Sequence, residues 1–163
     1  MGNSTPETPL YSIGTAARML GVSVHTLRMY ERSGLILPYK NDSHQRLYSD
    51  RDIDRLRCVR NAINVEKISI EGIRRVLSLI PCWAIVRCSE QDKATCAAYN
   101  GHSEPCWGLK RKGAFCTTRD CRTCEVYIAF GDCKSIKDRL KQLLPLENVA
   151  EEPSKNYPSG LTL

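Results

Sequence analysis

The chain has 163 residues, with 24 Lys and Arg against 18 Asp and Glu, a formal charge of +6, and nine cysteines. That length holds one ordinary domain or two small ones with limited cores. No apolar run nears the roughly 20 residues that span a bilayer, and Met1 to Pro9 lacks the charged start and apolar stretch of an export signal, so a cytoplasmic protein with no membrane partner is expected.

The positive excess is uneven. Residues 11–80 carry twelve basic and seven acidic side chains, most of the surplus, as a polyanionic partner requires. In a reducing cytoplasm, nine thiols point to metal ligation or redox chemistry rather than permanent disulfides.

Residues 1–10, rich in Ser, Thr and Pro, read as a disordered arm. From Tyr11 the pattern turns helical. Ser12 can cap a helix through Leu20, with Ile13, Ala16, Ala17 and Leu20 on one apolar face. Gly21 supplies a turn, Ser23 caps a second helix containing Val24, Leu27, Tyr30 and Glu31, and Gly34 ends it, its missing Cβ suiting the left-handed closing position. Two short helices joined by a tight Gly-containing turn make a helix-turn-helix.

Leu35 to Tyr39 reads as a short extended run, Lys40 to Gln45 as a polar loop and Arg46-Leu47-Tyr48 as a returning strand, which together make a β-hairpin wing. Ser49 caps the next helix, whose first turn places Asp50 and Asp52 against the positive helix end. Ile53, Leu56, Val59 and Ile63 form its core stripe, with Arg60 at the border. Cys58 falls within this helical register and is expected to be a small buried residue. Ser69 starts a further helix through Leu79, with Arg74 and Arg75 exposed, and Pro81 ends it.

The order helix, turn, helix, wing, two helices, carried by "YSIGTAARMLGVSVHTLRMYERSGLILP" and "NDSHQRLYSDRDIDRLRCVRNA", resembles the MerR family of bacterial transcription regulators. Within it, the heat-shock-repressor (HspR-like) branch is most similar. The resemblance covers nearly all of residues 11–80 and implies double-stranded promoter or operator DNA as the partner. It implies that Ser23, His25, Thr26, Arg28 and Tyr30 on the second helix meet the major groove and flanking phosphates, while Lys40, His44, Arg46 and Tyr48 on the wing hold the neighbouring backbone. The chemistry agrees: hydroxyl and imidazole groups can meet base edges, and Arg and Tyr can bind phosphate oxygens. Each role has a rival. Tyr30 follows Leu27 by three residues and suits the core, Arg46 can pair with Asp50 or Asp52, and His25 and His44 can simply face solvent.

Residues 81–133 hold an internal repeat. Pro81-Cys82-Trp83, Cys88 and Cys96-Ala97-Ala98-Tyr99 are followed by Pro105-Cys106-Trp107, Cys116, then Cys121 and Cys124-Glu125-Val126-Tyr127. The duplicated order resembles the bacterial two-CW cysteine domain. Its Trp and Tyr residues are expected to supply a small core and shield sulfur from water. So short and polar a segment has a deficit of apolar burial that a bound metal would offset. Cys106, Cys116, Cys121 and Cys124 make one set of ligands. Cys82, Cys88 and Cys96 make a second, with Cys133 or His102 as its fourth. Paired knuckles of the usual zinc spacing occur only at Cys121-x-x-Cys124, so an iron-sulfur cluster is the first choice, zinc the alternative and metal-free thiol or disulfide switching the third. One cluster in the second unit, or two sites using both, satisfies the count.

In residues 134–146, Ile136, Leu140, Leu143 and Leu144 fall at i, i+4, i+7 and i+8, a short amphipathic helix too brief for a self-sufficient coiled coil. Residues 147–163 read as a flexible tail. The expected fold is mainly α: a winged helix-turn-helix, a small irregular cysteine-rich metal-binding domain and a short C-terminal helix. The expected function is a MerR-type DNA-binding transcription regulator, a homodimer on an inverted-repeat operator, with operator binding coupled to a Cys-ligated metal or iron-sulfur centre. RNA polymerase or a chaperone is a further possible partner. One alternative is a regulator with a purely structural zinc or partner-binding module, and another is an iron-sulfur redox or adaptor protein. Catalysis is not expected, since a phosphate-binding Gly loop, a Ser/His/Asp set and paired acids are all missing.

Overall fold

The computed structural model describes residues 5–101, 103–109, 114–131, 138 and 141, the side chains of 114 and 115 excepted. The N-terminal segment runs β1 (Tyr11–Ser12), α1 (Ile13–Leu20), α2 (Val24–Arg32), β2 (Tyr39–Lys40), β3 (Arg46–Tyr48), α3 (Asp50–Asn64) and α4 (Ile70–Ser78). Each helix starts at a serine whose hydroxyl accepts an otherwise orphaned backbone N–H: Ser12 from Thr15, Ser23 from Thr26, Ser49 from Asp52 and Ser69 from Gly72. Such caps contribute about 1 kcal/mol each. At α3 the Asp52 carboxylate also accepts the Ser49 N–H at 2.9 Å, closing a capping box. Gly21 (φ 62°) and Gly34 (φ 70°) take the left-handed conformation that terminates α1 and redirects the chain after α2.

The wing differs from expectation at its first strand. Only Tyr39 and Lys40 pair with β3, while Leu35 and Ile36 are fully buried. Enclosed on all sides, they serve as core residues instead of alternating across a sheet. The sheet also gains β1, antiparallel to β3 with Tyr11 opposite Tyr48, in the order β1-β3-β2. The core beneath it joins Leu27 of α2, Leu35, Ile36, Tyr48 and the Ile53 and Leu56 stripe of α3. Arg60, at the border of that stripe, donates to the Leu20 carbonyl and ties α3 to the end of α1.

The cysteine segment is built from short helices, α5 (Cys82–Ile85), α6 (Glu90–Thr95), α7 (Ala114–Thr117) and α8 (Glu125–Ala129), with single 3-10 turns at Cys106–Gly108 and Cys121–Thr123. The repeat read in the sequence recurs in three dimensions. Trp83 meets Tyr99 edge to face at 5.2 Å and 89°, and Trp107 meets Tyr127 edge to face at 5.3 Å and 86°.

The second unit is welded to the N-terminal segment. Trp107, Val126, Tyr127 and Phe130 form one buried cluster with Ile80, against which Leu37 and Leu77 pack. Trp107 Nε1 donates to the Gly34 carbonyl at 2.8 Å, and the Leu37 N–H donates to the Tyr127 hydroxyl at 2.9 Å. Arg122 donates to the Leu37 carbonyl and pairs with Asp52 at 3.0 Å. Arg55 of α3, 5% exposed, donates to the Tyr127 carbonyl and stacks on that ring at 3.7 Å. Arg74, expected at the surface, is instead largely covered and bridges to Glu104 at 2.5 Å.

Two further expectations are revised. Cys58 is half-buried and disulfide-bonded, not a small buried thiol, so one cysteine at least departs from the all-reduced expectation. Tyr99 is 43% exposed, so the first unit's tyrosine is only partly enclosed in a core. The expected helix at 134–146 and the tail at 147–163 lie outside the described residues, apart from 138 and 141. No described helix is long and apolar enough to cross a membrane.

Candidate nucleic-acid interface and thiol cavity

Helix α2 and the wing meet at a groove of about 390 Å³ whose lining includes Arg28, His44, Gln45 and Arg46. Arg28 comes from the exposed face of α2, and His44 sits in the left-handed turn (φ 57°) that reverses the wing. Two cationic side chains and an imidazole thus face one concave surface, a geometry suited to phosphate oxygens. Ser23 and His25 are exposed at the start of α2. The Ser23 and Thr26 hydroxyls lie 2.9 Å apart within the helix cap.

Electrostatics constrain the wing. Arg46 bonds Glu31 at 2.5 Å, not Asp50 or Asp52, and Lys40 lies 3.7 Å from the other Glu31 oxygen. The bond to Glu31 pushes the Arg46 pKa further up, so its charge is fixed. Glu31 therefore orients both wing cations from the recognition helix.

Two expected DNA contacts lie elsewhere. Tyr48 is fully buried and Tyr30 is 5% exposed, so both serve the core rather than the surface. Tyr48 ends the central strand with its ring turned into the core, and burial pushes its phenol up to about 12. Its hydroxyl has no hydrogen-bond partner among the described residues. Ser12 and Gln45, not expected in the interface, line the groove. Ser12 had announced itself only as a helix cap, and Gln45 only as part of a polar loop.

The cysteines converge on a second site. Cys82, Cys88 and Cys96 from the first unit and Cys106, Cys116 and Cys124 from the second line one cavity of about 30 Å³, covered by Trp83, Tyr99, Val86 and Val126 with Lys93 at the wall. Cys121 is not among the lining residues. Cys133 and His102, the expected fourth ligands of the first set, lie outside the described residues. Among the described residues no group of three or more His, Cys, Asp or Glu side chains is drawn close enough to hold a single metal ion.

The sulfurs titrate against one another. A hydrogen bond from Cys106 draws the Cys82 thiol down to about 7 and pushes its own thiol far up. Burial, then the neighbouring Cys88, Cys124 and Cys96, raises Cys116 to about 11, and burial followed by Cys82 raises Cys88. Such a set favours proton sharing when empty and cation binding when ionised.

Residues 11–80, which hold the groove, match the pattern of MerR HTH family regulatory proteins. Their sequence is similar to that of the MerR helix-turn-helix family. The family is one of regulators, not of enzymes. Among curated relatives, this chain is similar to HspR of Streptomyces coelicolor, 41% identical over 75 residues, covering 46% of this chain and 50% of that protein. It is also similar to heavy metal-dependent transcription regulator 2 of Rhizobium meliloti, 41% over 69 residues, covering 42% and 46% respectively. The ZntR homolog of Haemophilus influenzae is 40% identical over 68 residues, covering 41% and 50%. The chain thus spans about half the length of the curated relatives it matches. No solved structure matches it. The family match stops at residue 80, where the cysteine segment begins.

Proposed function

We propose that the chain is a transcription regulator of the MerR type, acting in the cytoplasm as a homodimer on operator DNA, whose grip on DNA is coupled to a cysteine-held centre. An iron-sulfur cluster is favoured over zinc. One observation carries the reading: the unit that contributes Cys106, Cys116 and Cys124 to the cavity is hydrogen-bonded, through Trp107, Tyr127 and Arg122, to the Gly34–Leu37 backbone joining recognition helix to wing. A change in the sulfur arrangement is therefore three residues or fewer from side chains that fix the wing's root. A ligand acts only through unequal affinity for two conformations, and here the two would differ in the angle of wing to helix.

Support for a metal comes from the donor set. Six thiols face one another behind apolar rings, a soft-ligand shell suited to iron-sulfur or zinc. A bound cluster would supply electron exchange tuned by its burial and hydrogen bonds. One of the similar relatives is named a heavy metal-dependent transcription regulator, which favours the same coupling here.

The test is anaerobic purification followed by a visible spectrum, iron, sulfide and zinc analysis, and footprinting of genomic fragments before and after metal removal. Broad absorption with iron and sulfide, and an operator affinity that changes about tenfold or more on removal, equivalent to about 1.4 kcal/mol, are expected. Colourless protein with bound zinc and an unchanged footprint would replace the sensor with a structural platform. Arg28→Ala should weaken operator binding about tenfold, the loss of a phosphate or base contact, while leaving metal content unchanged.

A further inference from the structure

We propose that Cys82 and Cys106, the cysteines of the two Pro-Cys-Trp motifs, form a redox-active dithiol that closes to a disulfide between the repeats. The proposal goes beyond the metal reading, since it needs no ion and concerns the chain with its cavity empty. In that state no three donors among the described residues stand close enough to share an ion, but these two sulfurs are in hydrogen-bonding contact, the Cys106 thiol donating to Cys82. Both are reduced, both are half-buried and both line the same cavity. A pair held sulfur to sulfur and reached by small solutes can close to a disulfide with little rearrangement.

The place of the pair in the fold gives the bond a consequence. Cys82 follows Pro81 just beyond α4, and its N–H donates to the Ile80 carbonyl at 2.7 Å. Cys106 opens the 3-10 turn whose Trp107 donates to the Gly34 carbonyl. Ile80 and Trp107 share one buried cluster, and both cysteines pack against it. A bond between them would fasten the chain leaving α4 to the turn that braces the root of the wing.

The chemistry balances with a hydroperoxide as oxidant. The Cys82 sulfur, which also accepts the Trp83 backbone N–H, attacks one oxygen of hydrogen peroxide. The O–O bond breaks, the thiol proton leaves with the departing oxygen as water, and Cys82 becomes a sulfenic acid. The Cys106 sulfur then attacks the Cys82 sulfur, the S–O bond breaks, and a second water carries off the Cys106 proton as the S–S bond forms. Two thiols lose two electrons and two protons, and one peroxide becomes two waters. A dithiol reductant reverses the bond by exchange.

The test uses the full chain purified without oxygen, split into chelator-treated and untreated portions, exposed to a small excess of hydrogen peroxide and mapped by peptide mass spectrometry without reduction. A cross-link joining Cys82 to Cys106 is expected as the main product of the chelated portion, reversed by dithiothreitol. Cys106→Ser should leave a sulfenic acid at Cys82, trapped by dimedone, and Cys82→Ser should slow the loss of the first thiol about tenfold. Cross-links chiefly between Cys121 and Cys124 or between Cys88 and Cys116, or none at all, would overturn the proposal. So would a sulfenic acid in Cys106→Ser that sits chiefly on another cysteine. Should a variant fail to fold, the wild-type map decides alone. A cross-link confined to the chelated portion supports the pair together with a bound metal, whereas equal cross-linking in both portions supports the pair and counts against metal on these two sulfurs. No arm depends on operator binding, so failure here leaves the DNA reading standing.

Discussion

The two cysteine repeats share a local geometry and part company in their surroundings. Each sets its Trp against its own Tyr edge to face, with centroids 5.2 and 5.3 Å apart, and each carries a cation over the tyrosine ring. In the first repeat that cation is Lys93, 5.9 Å from a ring that is 43% exposed. In the second it is Arg55, delivered from α3 of the N-terminal segment to 3.7 Å, over a ring that is 4% exposed. The motif fixes the aromatic pair, whereas docking fixes its worth. A cation-π contact gains strength as it is desolvated, and a hydrogen bond matters most where water cannot replace it.

The largest difference should appear at the tryptophans. Trp107→Ala removes a buried ring, its contacts with Tyr127 and Arg55, and the donor to the Gly34 carbonyl. Burial of that order predicts a loss of about 3–5 kcal/mol in urea unfolding. Trp83→Ala, at a half-buried position, should cost about 1–2 kcal/mol. Equal losses would show that the first repeat is as deeply engaged as the second, and would remove the asymmetry on which the route from cavity to wing depends.

A finer comparison lies at the tyrosine hydroxyls. Tyr127→Phe keeps the ring and leaves the Leu37 N–H without its acceptor, which should cost about 1–3 kcal/mol. Tyr99→Phe, at an exposed ring, should stay within about 0.5 kcal/mol. The same pair read by footprinting separates anchoring from stability. Tyr127→Phe should reduce the response of operator affinity to metal removal, while Tyr99→Phe should preserve it.

Much of the N-terminal segment was legible because its signals are local. Serines at the helix starts, Gly21 and Gly34 at the turns, and the Ile53-Leu56-Val59 stripe each act through neighbours within four residues, and each appears where expected. Strand β1 was not legible, since two residues carry no alternation and are held by pairing with Tyr48, 37 positions away. The repeat was visible as a pattern, but which copy docks depends on residues outside the pattern. Arg122 and Arg55 carry no signal of their own in the sequence and Asp52 reads only as a first-turn helix acid, and only the fold brings them together under Tyr127. The gathering of Cys82, Cys88 and Cys96 with Cys106, Cys116 and Cys124 around one cavity was not legible for a related reason: spacing reports what one loop can gather, not what two loops can enclose. Tyr48 was placed on DNA by resemblance, yet its ring faces inward from the central strand.

Tyr48 offers the smallest and most pointed contrast with Tyr127, one buried phenol without a partner among the described residues against another with one. A buried hydroxyl that makes no hydrogen bond carries a desolvation cost that phenylalanine avoids, so Tyr48→Phe should be neutral or stabilising by up to about 1 kcal/mol at pH 7. The pH dependence supplies the check. Burial holds the folded phenol at about 12, above the unfolded value near 10. Below pH 10 both states are protonated and the group adds no slope. Between 10 and 12 the unfolded chain sheds the proton first, binds fewer protons than the folded one, and wild-type stability falls as pH rises. The phenylalanine variant lacks this contribution, so its advantage should widen from pH 9 to pH 11.5 in chemical denaturation. An advantage that stays constant across that range, or a loss greater than about 1 kcal/mol at pH 7, would mean that the Tyr48 hydroxyl is hydrated or bonded in solution, and would reopen its place at the DNA face.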